Sequence, residues 1–268
     1  DLTEVLQKLQ RAKTFSRPWH ENIRRWRNLY EFNHYSHLPE ATSNESRYKD
    51  PTYTNTVDLA VGIFQANEMI WRVTGWNPSV SEQRGSDNVE KYLAGLIDVN
   101  SDRNEYDIRF EVNQHFVRDG GAVVYSVWSP DIAATEREFL DEEEGSVSRK
   151  SYEEPPICVK VIDPLKINLL PGGPHRWLVV ARCEERMVWD IEVEYGIRLR
   201  EYGHLTATEK METKCEFSDY WDISYEANLE PTDTYTGGKK MIIRNALLAA
   251  GQFVVPIRKM DGYDEIPY

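Results

Sequence analysis

Apolar positions recur at helical spacing through the first third of the chain. Leu2, Val5, Leu6 and Leu9 form one such set. Pro18 stands where the first turn of a helix tolerates proline, so a second helix is predicted to open there. Trp19, Ile23, Trp26 and Tyr30 follow at i, i+4, i+7 and i+11, and the opposite face carries Arg24, Arg25 and Arg27. From His37 to Thr54 the pattern breaks into a long loop with Pro39, Pro51 and many small polar residues. A third helix is predicted over Thr56 to Val73. Val57, Val61, Phe64 and Trp71 line one of its stripes, and Leu59, Ile63, Ala66 and Ile70 line another. Apolar residues on two faces imply a helix buried on both sides. The predicted core is therefore Trp19, Ile23, Trp26, Val57, Val61, Phe64 and Trp71.

Two capping-box patterns follow. Asp87 with Glu90 opens a helix through Leu96 and Val99, and Asp102 with Glu105 opens another through Phe110 and Phe116. The second stops at Asp119-Gly120-Gly121. The period then changes. Ala122 to Trp128 reads as a strand, as do Ile157–Ile162, Trp177–Cys183, Glu216–Tyr225 and Met241–Leu248, with a short helix between Trp189 and Gly196. Asp163-Pro164 and Pro171-Gly172-Gly173-Pro174 read as turns, and Gly237-Gly238 joins the last two strands. Residues 131–155 form an acidic interruption, with nine Asp/Glu against three Lys/Arg, and are predicted to be a solvated loop. The class is α+β: a helical part over 1–121, then an antiparallel β-rich part over 122–268.

Composition narrows the function classes. The 268 residues carry 32 Lys+Arg against 45 Asp+Glu, a formal net charge of −13. A body with that charge repels nucleic acid unless it segregates a basic patch. The longest uncharged run, Asn245 to Ile257, has 13 residues, too few for a membrane helix of about 20. The start, Asp-Leu-Thr-Glu, has no signal-peptide pattern, and its lack of an initiator Met suggests numbering that begins inside a longer polypeptide. Cys158, Cys183 and Cys215 are widely spaced and read as small buried hydrophobes in strands, in a reducing compartment.

A search for catalytic motifs finds no phosphate loop, no Gly-x-Gly-x-x-Gly, no His-Glu-x-x-His and no Gly-x-Ser-x-Gly. His34 and His37 share a metal-compatible spacing but have no third ligand, and Asp141 to Glu144 reads as a solvated acidic loop rather than a cation site. No catalytic residue, metal or cofactor is therefore expected. Arg24, Arg25 and Arg27 form the sharpest local feature. Guanidinium groups on an outward helix face suit an acidic protein surface, so this face is read as an oligomer or partner contact. Two alternatives stay open: an acidic adaptor that binds one partner through the arginine helix, and a metal-dependent hydrolase with an unrecognised site.

The order of segments resembles a family. Ile23-Arg24-Arg25-Trp26-Arg27-Asn28-Leu29-Tyr30 comes first, then the helix opening Asn55-Thr56-Val57, then Trp76-Asn77-Pro78. Arg118-Asp119-Gly120-Gly121 leads into the strand Ala122 to Trp128, and Val161-Ile162-Asp163-Pro164 follows. Asp219-Tyr220-Trp221-Asp222 and a late strand lead to Glu265-Ile266-Pro267-Tyr268. Together these resemble the N-terminal, wing portion of tailed-bacteriophage portal (head–tail connector) proteins over most of residues 20–268. The resemblance implies a non-catalytic subunit of a ring, usually of twelve chains, at one capsid vertex. It implies capsid protein, terminase and tail or adaptor proteins as partners, with double-stranded DNA passing through without sequence-specific binding. The place implied is the virion, and the host cytoplasm during assembly. Stem, clip and crown regions have no counterpart here, so no DNA-lining residue is assigned.

Overall fold

The computed structural model describes residues 1–33, 49–67, 80–128, 134–141, 146–153, 157–173, 176–227, 239–260 and 266–268. The class is α+β, with N-terminal helices followed by antiparallel sheets. Two compact units divide the chain by packing rather than by element type: residues 1–22 join 163–268, and residues 23–162 form the other.

The first unit is a five-stranded antiparallel meander covered on one face by a helix. Helix α1 runs from Leu2 to Tyr30 without interruption, with Pro18 inside it. The predicted break at Pro18 does not occur. Ser16 and His20 grip the sheet on either side of that proline. The Leu169 N–H donates to Ser16 Oγ at 2.8 Å, and His20 Nε2 donates to the Ile167 carbonyl at 2.8 Å. These tertiary bonds flank the position where the proline removes a helical hydrogen bond. Val5, Leu9, Ala12, Ser16 and His20 are all buried and share one helical stripe.

The sheet runs β5 (Ile167–Gly173), β6 (Arg176–Met187), β7 (Lys214–Ala227), β8 (Lys239–Ala249) and β9 (Gln252–Lys259) in spatial order. Strand β5 was missed because Pro171-Gly172-Gly173 reads as a turn, whereas it ends a strand with two register shifts. Alternation sends Val179 and Ala181 of β6, Tyr220 of β7, and Ala246 and Leu248 of β8 toward Val5, Leu9 and Ala12. Ala181 and Ala246 stand opposite Tyr220 on the two neighbouring strands, leaving room for its ring. A second cluster forms where α5 (Val188–Tyr195) buries Val188 and Ile191 with Leu199, Phe217 and Val254. Helix α6 (Ala207–Glu212) opens with a capping box of Thr206 and Glu209.

The second unit combines helices with two hairpin-like pairs. It holds the end of α1, then α2 (Thr52–Ala66), α3 (Val80–Asn104) and α4 (Ile108–Asp119). Both capping-box readings move. Helix α3 runs straight through Asp87, and the cap of α4 is Asp107, whose carboxylate accepts the Arg109 and Phe110 N–H groups at 2.8 and 3.2 Å. Strands β1 (Val123–Trp128) and β4 (Ile157–Ile162) pair with each other. The acidic interruption between them, expected as a loop, is a hairpin: β2 (Ala134–Asp141) pairs antiparallel with β3 (Ser146–Glu153). Acidic composition hid it, because polar residues on both faces erase the alternation that reveals a half-buried strand.

Helix side chains also cover β4. Asn100 is fully buried, accepts the Val159 N–H at 2.8 Å and donates to the Ile157 carbonyl at 3.1 Å. Asn104, one turn on, donates to the Val159 carbonyl at 2.9 Å, and the Tyr106 hydroxyl accepts the Val161 N–H at 3.1 Å. These asparagines disfavour an isolated helix but satisfy strand groups that would otherwise be buried unpaired.

The core expectation for the α2 region is corrected in part. Val57 and Val61 are buried, but Phe64 is 47% exposed, and Leu59 and Ile63 are 67% and 54% exposed. Trp71 lies outside the described residues. The Phe64 ring meets Phe116 edge-on at 6.4 Å. Phe64→Ala is therefore expected to cost about 1–2 kcal/mol, from an aromatic pair and partial burial, rather than the roughly 3–5 of a fully buried phenylalanine. Urea titration of the variant checks this; a loss above about 3 kcal/mol would show Phe64 enclosed after all.

Candidate interaction surface

The three arginines do not share one role. Arg24 and Arg25 are exposed. Arg27 turns inward, with Nη2 2.6 Å from Asp119 Oδ2 and Nε 3.1 Å from Oδ1. Arg27 is thus withdrawn from the proposed contact face, because the buried carboxylate of Asp119 claims it. Ile23 is fully buried, while Trp19 and Trp26 are half-buried.

Asp119 is the hub of the second unit. Its side chain is fully buried at the end of α4, one residue before Gly120. Gly120 has φ +72°, and a Cβ there would stand 2.9 Å from Trp26 Cζ3, so both backbone and space demand glycine. Arg118 donates to Asp119 from Nε at 2.9 Å and from Nη2 at 3.0 Å, and His115 Nδ1 donates at 2.7 Å. Burial alone would raise the Asp119 pKa. The hydrogen bonds from His115, Arg118 and Arg27 outweigh it and hold the carboxyl well below the usual range. Around this hub, the Tyr53 hydroxyl donates to the Arg118 carbonyl at 3.1 Å, and the Tyr30 hydroxyl donates to Asp58 at 2.7 Å.

The first unit has its own hub at Asp222. Its side chain is fully buried and takes Arg244 through Nε at 2.8 Å and Nη2 at 2.5 Å, Lys8 at 3.0 Å and the Tyr220 hydroxyl at 3.0 Å. Glu4 holds Lys8 from the other side at 2.7 Å. Burial opposes ionisation of Asp222, but Arg244 and Lys8 prevail and lower its pKa. The Tyr220 phenol is pushed far up by burial and by the adjacent carboxylate, so it stays a donor. Elsewhere in this unit, Lys210 pairs with Glu192 at 2.8 Å, both largely buried. The Tyr268 hydroxyl donates to Asp219 at 2.9 Å, and Asn245 donates to the same carboxylate at 2.7 Å.

These arrangements suit structure more than reaction. Carboxylates held low by several donors do not take up protons near neutral pH, as a general base must. Cys158 and Cys215 are buried, and burial pushes the Cys183 and Cys215 thiols up, away from the nucleophilic thiolate. Among the described residues, no group of three or more His, Cys, Asp or Glu is placed to hold a metal ion. His34, His37 and residues 142–144 lie outside the described residues. No helix among them is long and apolar enough to cross a membrane.

The two hubs set an acid limit. Each folded carboxyl lies below its unfolded value, so its stabilisation is full above about pH 5 and drains as pH falls through the folded-state value. Urea midpoints should be flat from pH 7 to 5 and fall below about pH 4. Asp222→Asn and Asp119→Asn should flatten that slope; a slope unchanged in both variants would place the acid sensitivity elsewhere.

Beside the exposed Arg24 and Arg25, one apolar patch is open to a partner. The solvent face of α2 carries Leu59, Ile63 and Phe64, with open space around Gly62. The helix has one charged residue, Asp58. Phe116 of α4, 58% exposed, extends this surface. Sequence reading placed both α2 stripes in the core; the composition was legible, but its exposure was not. Compared with known proteins, the chain matches no family model and no curated protein.

Proposed function

We propose that this chain is a structural subunit of a viral portal ring, a conduit for DNA packaging and ejection and a platform for terminase and tail attachment. The observation that carries the ring reading is the Leu59, Ile63 and Phe64 patch on the solvent side of α2, a helix whose lone charge is Asp58; an exposed patch of core composition calls for a protein cover. The buried ion pairs at Asp119 and Asp222 support a scaffold, because their charged groups are spent on each other. The portal identity rests on the ordered segments quoted above, from Ile23–Tyr30 to Glu265–Tyr268. A charge of −13 per subunit suits a channel through which DNA slides without being gripped. Arg24 and Arg25 remain the assigned polar contacts to a partner.

Light scattering and negative-stain imaging of the full polypeptide test this reading. The expected result is a mass many-fold above one chain and rings with a central hole. A single-chain mass at micromolar concentration would sink it. If that single chain still captured an acidic protein through Arg24 and Arg25, the adaptor alternative would take its place.

A further inference from the structure

The first unit carries an open groove among its described residues. It lies between α5 and α6, lined also by Ile197, Arg198, Gly203 and Leu205 of their connection, and has a volume of about 490 Å³. Trp189 and Val193, one turn apart on α5, form one wall, and Ile197 and Leu205 continue it. Val193 is 62% exposed. The Lys210–Glu192 ion pair also lines it, and Arg198 adds an exposed cation to the lining.

The α2 face is its chemical counterpart. Leu59 and Ile63 stand one turn apart and project together, so they present a pair of aliphatic knobs to the apolar part of the groove lining. The lone charge of α2, Asp58, directly precedes Leu59 and is opposite in sign to Arg198. A symmetric contact of α2 with α2 would offer Asp58 no cation, since α2 carries none, and would leave the groove empty. A patch and a pocket on different parts of one chain make a head-to-tail contact, which closes into rings when the rotation permits.

We propose that the Leu59/Ile63 face of α2 seats in the Trp189/Val193 groove of a second copy of this chain. The contact is heterologous, and it rests on the ring reading above. It names which surfaces meet and predicts that each chain uses two different ones.

Sedimentation velocity on the full polypeptide, with melting temperature measured in parallel, tests the contact. Ile63→Arg and Val193→Glu each alter an exposed side chain, so both variants should melt as the wild type does. Each should raise the concentration for half-assembly by about thirty-fold or more, the scale of a central interface residue. The double variant puts Arg of one copy against Glu of the next and should recover most of that loss. Normal assembly by Val193→Glu, or no recovery in the double variant, overturns the proposal. So does an Ile63→Arg variant that melts early yet assembles normally, which would show the chain's own residues covering the face. A wild type that stays at single-chain mass defeats the ring reading and this contact together. A wild type that assembles while both variants are indifferent defeats the contact alone.

Discussion

Asp222→Ala is expected to destabilise the unit of residues 1–22 and 163–268 by about 3–5 kcal/mol, the cost of breaking a buried ion pair from one side. The carboxylate is fully buried and receives four hydrogen bonds, two from Arg244, one from Lys8 and one from Tyr220. Removing it leaves two cations and a phenol around a void that none of them can fill. Glu4 limits the damage, because it already holds Lys8 at 2.7 Å and lies 3.6 Å from Arg244. Asp222→Asn keeps the shape and some hydrogen bonds but not the charge, so its loss should fall between wild type and alanine. Trp221, the neighbouring residue on β7, supplies a fluorescence signal for a urea titration. A loss below about 1 kcal/mol for alanine would mean that solvent reaches the site. This contact adds to the packing that holds α1 on the sheet, since Lys8 is next to Leu9 and one turn from Ala12 in the core.

How much of this was readable in advance depends on what each signal measures. Runs rich in β-branched and aromatic residues located β1, β4, β6, β7 and β8. The same signal missed β2 and β3, whose sequences are mostly charged and small polar residues, β5, where Pro171 and two glycines mimic a turn, and β9, which follows β8 across the Ala250-Gly251 turn. Periodicity located most of the helices but not their ends: it divided α1 at Pro18 and did not find the six-residue α6. Asp87 and Asp102 satisfy a cap pattern as well as Asp107 does, and only the preceding chain path decides which one caps. The Asp119 hub left a faint trace: an acidic residue in the last turn of a helix opposes the dipole, which makes a nearby cation necessary. Asp222 left a clearer one. It stands two residues from Tyr220, so alternation places both on one face of β7, and a carboxylate on a core face requires a cation. What no pattern disclosed was which of Arg24, Arg25 and Arg27 would turn inward, since three arginines within four residues differ only in angle around the axis.

That difference in angle gives the last expectation. A triple substitution of Arg24, Arg25 and Arg27 by Glu, reasonable from sequence as a folded but non-assembling variant, mixes two unrelated effects. Arg27→Glu alone places a carboxylate beside the buried Asp119 and removes one of its two guanidinium partners. It is expected to cost about 3–5 kcal/mol and to loosen the unit of residues 23–162. His115 and Arg118 would then face two acidic groups, and one of the two must protonate or the end of α1 must swing away. Arg24→Glu with Arg25→Glu alters exposed side chains, so stability should stay within about 0.5 kcal/mol per site. Any partner docking that the pair supports should weaken, most at low salt, where screening is least. Urea midpoints of the two variants, with assembly or docking followed at 50 and 300 mM salt, separate the cases. An Arg27→Glu midpoint equal to wild type would show that Asp119 does not hold this unit together. A collapsed Arg24→Glu/Arg25→Glu variant would show that those side chains are packed within the fold, and they would then have no surface role to assign.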